Sequence, residues 1–194
     1  MVSKTTAGVM YIPGPEGSFS DEAAELLMKK ENKKWRKDYK TDPASLISAT
    51  ANNGGDALGI LPLVNSGRHV LGKILRSLSK HNLGIENIFK IEQRVNLMTL
   101  HSTKPEDVEH IASSDRLLQT SKPYLSLYYP GVHYIYYDCA PVAISDLTTG
   151  KLEVNTAVIG SNLAAEIYNL KIIAALGGNQ GAQRVQYLVI KKEI

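Results

Sequence analysis

Four stretches of the chain carry residues whose types and spacing could do chemistry. They are Pro13–Ser20, Pro62–His69, Leu118–Lys122 and Asp138–Pro141. Each reads as the junction between an apolar strand and a helix. Each offers small or hydroxyl side chains and backbone N–H groups at a helix N-terminus, an arrangement that binds carboxylates or phosphates. Ser18, Ser20, Asn65, Ser66, Thr120 and Ser121 are the hydrogen-bonding candidates. Each has a plain alternative as an ordinary helix cap. Lys122 stands at an expected helix start, where a cation opposes the helix dipole unless an anion lies beside it. A solvent-directed lysine explains it equally well. His69, next to Arg68, can give or take a proton near neutral pH. It is a candidate general acid or substrate anchor, with a structural histidine as the alternative. Cys139 lies near a helix start but has no evident base as partner, so it reads as a cleft-wall or core residue. His81, His101, His110 and His133 lack metal-ligand spacing, so no metal is expected.

These groups need elements to hold them. The 194 residues suit one domain, or two small lobes sharing a core. Apolar residues make up 43% and charged residues 21%, an ordinary globular composition that excludes a disordered chain. A formal net charge of +3 is too small to argue for nucleic acid. No run is long enough to span a membrane, and Met1–Pro13 lacks the apolar core of a signal peptide. The single cysteine fits a reducing cytoplasm, the expected location.

Apolar runs at Val9–Ile12 and Ala57–Leu61 predict strands, and Ser18 or Ser20 predicts the cap of a helix reaching about Lys33. Lys29–Lys40 holds seven basic residues and Trp35; it reads as an anion patch or as a solvated helix end and loop. Pro43 opens a helix ending at Asn53-Gly54-Gly55. Gly67–Lys80 has helical periodicity, and Ile85–Leu100 alternates like one or two strands. Pro105–Ser113 is expected as a short helix, and Leu117-Leu118 as a strand before a helix starting near Pro123. Val132–Tyr137, Asn155–Gly160, Lys171–Ala175 and Leu188–Ile190 read as strands, with helices at Ala140–Leu147 and Asn162–Tyr168. Strands alternating with short helices predict an α/β fold with mostly parallel pairing.

The motifs resemble a known family. Gly14-Pro15-Glu16-Gly17-Ser18-Phe19-Ser20 with Ala23-Ala24 is similar to the opening motif of prephenate dehydratase catalytic domains. Gly59–Ser66 resembles the family's strand ending in Pro-Ile-Glu-Asn-Ser, with Val64 in place of Glu. Thr120–Leu125 resembles Ser-His-Pro-Gln-Ala-Leu, with Lys122 in place of His, and Asp138-Cys139-Ala140 falls where the family has Ser-Thr-Ala. Ala157–Ser161 with Ala164–Leu170 resembles its later strand–helix unit.

The resemblance implies a two-lobed fold like that of type II periplasmic binding proteins, with the substrate cleft between the lobes. It places one lobe at residues 1–102 plus 177–194 and the other at 103–176. It also implies prephenate as substrate and a homodimer; loss of CO2 from a dienyl carboxylate needs only a proton, so no cofactor is expected, and charge and hydropathy give no reason to expect a nucleic-acid or membrane partner. The chain stops at Ile194, so no phenylalanine-sensing ACT domain is expected.

The departures matter as much. The family credits a Thr-Arg-Phe motif with protonating the leaving hydroxyl and binding carboxylate. Here either Gln183-Arg184-Val185 or Val185-Gln186-Tyr187 falls there, and neither register restores the Thr. The first register implies a bidentate carboxylate clamp at Arg184, with Gln183 beside it, in a stretch that reads as a Gly/Gln-rich loop; a surface arginine is the alternative. Arg68-His69 resembles the bacilysin-type prephenate decarboxylases, which lose CO2, keep the hydroxyl and serve antibiotic biosynthesis. A decarboxylase without aromatisation is therefore the expected activity. A divergent dehydratase and a non-catalytic small-acid binding protein are the alternatives.

Overall fold

The computed structural model describes residues 8–53, 56–63, 68–176 and 182–193, and for residues 68–70 the backbone alone. The chain forms two compact units. The first holds residues 1–15, 20–91 and 184–194; the second holds 16–19 and 92–183.

The first unit is a three-layer sandwich. Its strands are β1 (Val9–Pro13), β2 (Arg36–Lys40), β3 (Ala57–Pro62), the first half of β4 (Leu83–Thr99) and most of β9 (Ala182–Lys192), in the order β2-β1-β3-β9-β4. β1 pairs parallel with β2 and β3, and β9 runs antiparallel to β3. The period-two alternation of a strand sends neighbouring residues to opposite faces. Val9, Tyr11, Ala57 and Leu61 meet Leu46, Ile47 and Ala51 of α2 (Pro43–Asn52) and Ile74 and Leu78 of α3 (Arg68–Lys80). Met10, Ile12, Leu58 and Ile60 face the other way, onto Ala23, Ala24 and Leu27 of α1 (Phe19–Glu31). α2 starts because Asp42 accepts from the N–H groups of Ala44 and Ser45, at 2.9 Å each, while Pro43 fits the first turn.

The second unit repeats the plan. β5 (His110–Ser114) pairs parallel with β6 (His133–Tyr137) and with β7 (Thr156–Gly160). The second half of β4 runs antiparallel to β7 and to β8 (Lys171–Leu176). Leu117, Leu118 and Leu125 of α4 (Asp115–Tyr128) cover one face with Val95, Leu97, Ile111 and Ile159. Ala143, Ile144 and Leu147 of α5 (Ala140–Thr148) and Ala164 and Ala165 of α6 (Asn162–Ile167) cover the other with Met98, Ala112 and Val158.

Several expectations change. Pairing is mixed, because β4, β8 and β9 enter antiparallel. Arg36–Lys40 is an edge strand where a solvated loop was expected. Its basic side chains suit an edge that must not recruit another chain. Pro105–Ser113 is not a helix: only Pro105–Asp107 makes a 3-10 turn, and β5 begins at His110. Leu117-Leu118 lies inside α4, not in a strand. No helix among the described residues is long and apolar enough to cross a membrane.

Candidate functional site

In the second unit, three parallel strands deliver their carboxyl ends side by side. β5 ends at Ser114 and leads directly into α4, β6 passes through Asp138 and Cys139 into α5, and β7 passes through Ser161 into α6. A parallel α/β sheet presents its helix N-termini, and so its anion-binding N–H groups, at this edge. The three caps differ. Ser114 and Cys139 make no side-chain cap bond, whereas Ser161 accepts from the N–H of Ala164 at 3.0 Å.

The loop carrying Ser18 is fastened to the same unit. The Ser161 hydroxyl donates to the Gly17 carbonyl at 2.8 Å, and Gln93 Nε2 donates to the Phe19 carbonyl. Gly17 has φ +77, and a Cβ there would sit 3.2 Å from the Tyr168 ring, so both the backbone and the tight contact favour glycine. Ser18 is half-buried. Asn96, buried on β4, donates to Asn162 Oδ1 at 2.9 Å.

The first unit holds Ser20 and the start of β9. Ser20 is buried in the first turn of α1, beside the fully buried Asp21. Lys37 lies 2.8 Å from Asp21 and 2.9 Å from Glu25. Burial disfavours the Lys37 charge, but the two carboxylates outweigh it and hold the ammonium above the ordinary lysine range. Burial pushes the neighbouring Tyr39 phenol up to about 12.

Gln183 is half-buried and Arg184 exposed, and both lie in β9 rather than in the expected loop. Val185, Tyr187 and Val189 fill the α1 side of the sheet, while Leu188 and Ile190 fill the other side. This alternation is why the segment is a strand. Pro62 at the carboxyl end of β3 pairs with Tyr187, and Leu63 N–H donates to the Gln186 carbonyl at 2.7 Å, so Arg184 stands three residues before the partner of that end. Arg68 and His69 open α3 a few residues after that same end, but their side chains lie outside the described residues. Asn65 and Ser66 also lie outside them.

Thr120, Ser121 and Lys122 are not at a strand-to-helix junction. They sit mid-α4, and Lys122 is about 10 Å along the axis from Asp115 at 1.5 Å per residue. The Thr120 hydroxyl donates to the carbonyls of Arg116 and Leu117 in its own helix, Ser121 is buried, and Lys122 is exposed. Pro123 read as a helix start, yet the buried stripe Leu117, Leu118, Ser121 and Leu125 carries the helix through it. The junction belongs to Ser113, Ser114 and Asp115 instead. Those residues, with Gln93, Asn96 and Ser161, were missed as site candidates. The available signal was polar side chains at buried positions of apolar strands: Gln93 and Asn96 are each 2% exposed on β4.

Comparison with known proteins bears on the family and the fold. The prephenate dehydratase family model matches residues 10–194. A bifunctional chorismate mutase/prephenate dehydratase from Stutzerimonas stutzeri is 24% identical over 185 residues, covering 94% of this chain and 48% of its own length. The chain thus spans about half of that relative. The structure of a prephenate dehydratase from Arthrobacter aurescens in complex with L-Phe superposes with a TM-score of 0.79 at 15% identity, covering 96% of this chain and 60% of that one. GqqA, described as a novel type of quorum quenching acylase, superposes at 0.75 with 15% identity, covering 96% of this chain and 64% of that one. The α/β architecture also recurs among periplasmic transport proteins. The match to the family model extends over nearly the whole chain, and on that ground the chain belongs to the prephenate dehydratase family.

Proposed function

We propose that this protein acts on prephenate and removes the ring carboxylate as CO2 while keeping the ring hydroxyl. The product is a non-aromatic dihydro-4-hydroxyphenylpyruvate. The fold by itself does not choose among chemistries, so the residues must. The observation that carries the reading is the composition of β9. Ala182–Lys192 provides Arg184 but contains no serine or threonine. Expelling hydroxide requires a proton donor at the departing oxygen. Tyr187 carries the one hydroxyl of this strand, and it is 1% exposed and stacked on Phe89 at 5.5 Å. A site without that acid favours decarboxylation alone.

In this reaction the bond from the ring to its carboxylate breaks. The electron pair shifts into the ring, the far carbon of one ring alkene takes a proton, and CO2 departs. No redox change and no cofactor are involved. His69 is assigned as proton donor, with Arg68 beside it as an anchor. Arg184 is assigned as the bidentate clamp for a carboxylate, a role that guanidinium geometry suits. Ser18, Ser20, Asn65, Ser66 and Gln183 supply hydrogen bonds. The helix N-termini at Ser114 and Cys139 replace Thr120, Ser121 and Lys122 as the anion-facing groups of the second unit. The enzyme would work in the cytoplasm, in a pathway making specialised metabolites.

The test is incubation of the purified chain with prephenate at neutral pH, followed by ultraviolet spectroscopy and product identification. Loss of prephenate to a hydroxy-diene keto acid is expected. Direct release of phenylpyruvate would overturn the decarboxylase and establish a dehydratase. Binding without consumption would leave a binding protein.

A further inference from the structure

The segment Glu16–Phe19 belongs to the second unit, although Pro15 before it and Ser20 after it belong to the first. Four residues therefore leave one unit and return, and a detour of that kind needs anchors. Two buried side chains supply them from far away in sequence. Ser161, 1% exposed, donates to the Gly17 carbonyl at 2.8 Å. Gln93, 2% exposed, donates to the Phe19 carbonyl. These carbonyls flank Ser18 on both sides. The Gly17 carbonyl shares its peptide plane with the Ser18 N–H, and the Phe19 carbonyl lies in the plane that leads into Ser20, so the second unit holds the backbone on both sides of Ser18.

Ser161 is suited to this by having both a donor and an acceptor. Its oxygen accepts from the N–H of Ala164 while its proton goes to Gly17. The same hydroxyl thus caps α6 and holds the loop. Asn162, the next residue, is bonded to Asn96 at 2.9 Å, so the end of β7 is itself tied to β4. Gly17 suits the arrangement, because its φ is positive and a Cβ added there would stand 3.2 Å from the Tyr168 ring and 3.4 Å from the Ala164 Cβ.

We infer that Ser161 and Gln93 are positioning residues: they orient the Glu16–Phe19 loop so that Ser18 presents its donors to the substrate's anionic group. The inference rests on the reading of Ser18 as a substrate ligand. Neither residue touches the reacting atoms. Both act through the loop carbonyls, so their effects belong to binding rather than to the chemical step.

The test uses Ser161→Ala, Gln93→Met and the double variant in the full chain. Two readouts keep the inference separate from the identity of the substrate. The first is amide hydrogen exchange at Gly17, Ser18 and Phe19 in the free protein. Both single variants should speed it about tenfold, with exchange in β5 and β7 unchanged. The second is steady-state kinetics with prephenate. Each single variant should raise KM about tenfold with kcat within twofold. The double variant should raise it little further, because one loop is released either way. A role for Ser161 in capping alone predicts an effect of Ser161→Ala and none of Gln93→Met, and that result would overturn the inference. So would unchanged loop exchange in both variants. Faster exchange in a protein that ignores prephenate would uphold the positioning of the loop and refute the substrate assignment instead.

Discussion

Replacing glycine by alanine at three positions tests the packing argument, because the same methyl group meets three different surroundings. At Gly59, in the middle of β3, the new Cβ would lie 2.7 Å from Thr50 Oγ1, 2.8 Å from Ile190 Cγ1 and 2.8 Å from Leu46 Cδ2. Carbon contacts prefer about 3.5–4.0 Å, so each neighbour must retreat by close to an ångström. Gly59 pairs with both Tyr11 and Ile190, and fully buried Leu46 and Thr50 hold α2 against the strand. Overpacking of this kind costs about 1–3 kcal/mol, and three simultaneous clashes place Gly59→Ala at about 3 kcal/mol. For a chain of this size that lowers Tm by roughly 6–12 °C. At Gly72, inside α3, the nearest atom is the Arg76 guanidinium at 3.9 Å, and alanine should stabilise by about 0.5–1 kcal/mol through helix propensity. At Gly131 nothing lies within 4 Å, but φ is +89, so alanine should cost about 1–2 kcal/mol from backbone strain alone. Thermal and urea unfolding of the three variants measures all of this. A neutral or stabilising Gly59→Ala would refute the close packing of α2 on β3.

Other consequences can be measured on the same preparation. On the proposed roles, Arg184→Lys would keep the charge but lose a two-pronged carboxylate grip, so KM for prephenate should rise about tenfold or more, whereas His69→Ala should act mainly on kcat. The Asp42 carboxyl is held below its ordinary value, chiefly by the Ser45 backbone N–H. A depressed folded pKa gives stability that is present above the unfolded value of 3.8 and is lost as pH falls through the folded one. The stability gap between wild type and Asp42→Ala should therefore be constant near neutrality and shrink below about pH 4, as followed by urea titrations. The Tyr39 phenol is raised from 10.0 to about 12, so its contribution is complete below pH 10 and disappears as pH rises towards 12. Tyr39→Phe should flatten the alkaline loss over that interval, and an unchanged profile would count against the burial of the ring.

Local signals announced much of the fold. The apolar runs of β1, β3 and β7, the Pro43 start of α2 and the stripe of α3 each specify their element within a few residues. The Gly14–Ser20 turn ahead of α1 was equally legible, because its glycines take positive φ at Gly14 and Gly17. Three features were not. Arg36–Lys40 looks like solvated charge, and only its parallel pairing to β1 makes it a strand. Pro123 looks like a helix start, and the apolar contacts of Leu117, Leu118 and Leu125 override it. Arg184 looks like a loop residue, and the alternating burial around it places it in β9.

The sequence by itself determined the residue types available at the strand-to-helix junctions, the absence of serine and threonine from Ala182–Lys192 and the α/β order of elements. Tertiary structure decided which of those residues stand at strand ends and what holds them there. The clearest case is the Ser18 loop, fixed by Gln93 and by Ser161, 74 and 144 residues away from their carbonyl partners. Helix caps and strand alternation are local and can be read over a handful of residues. A hydrogen bond between residues 144 apart depends on the path of the whole chain, because only the completed sheet brings its two ends within 2.8 Å.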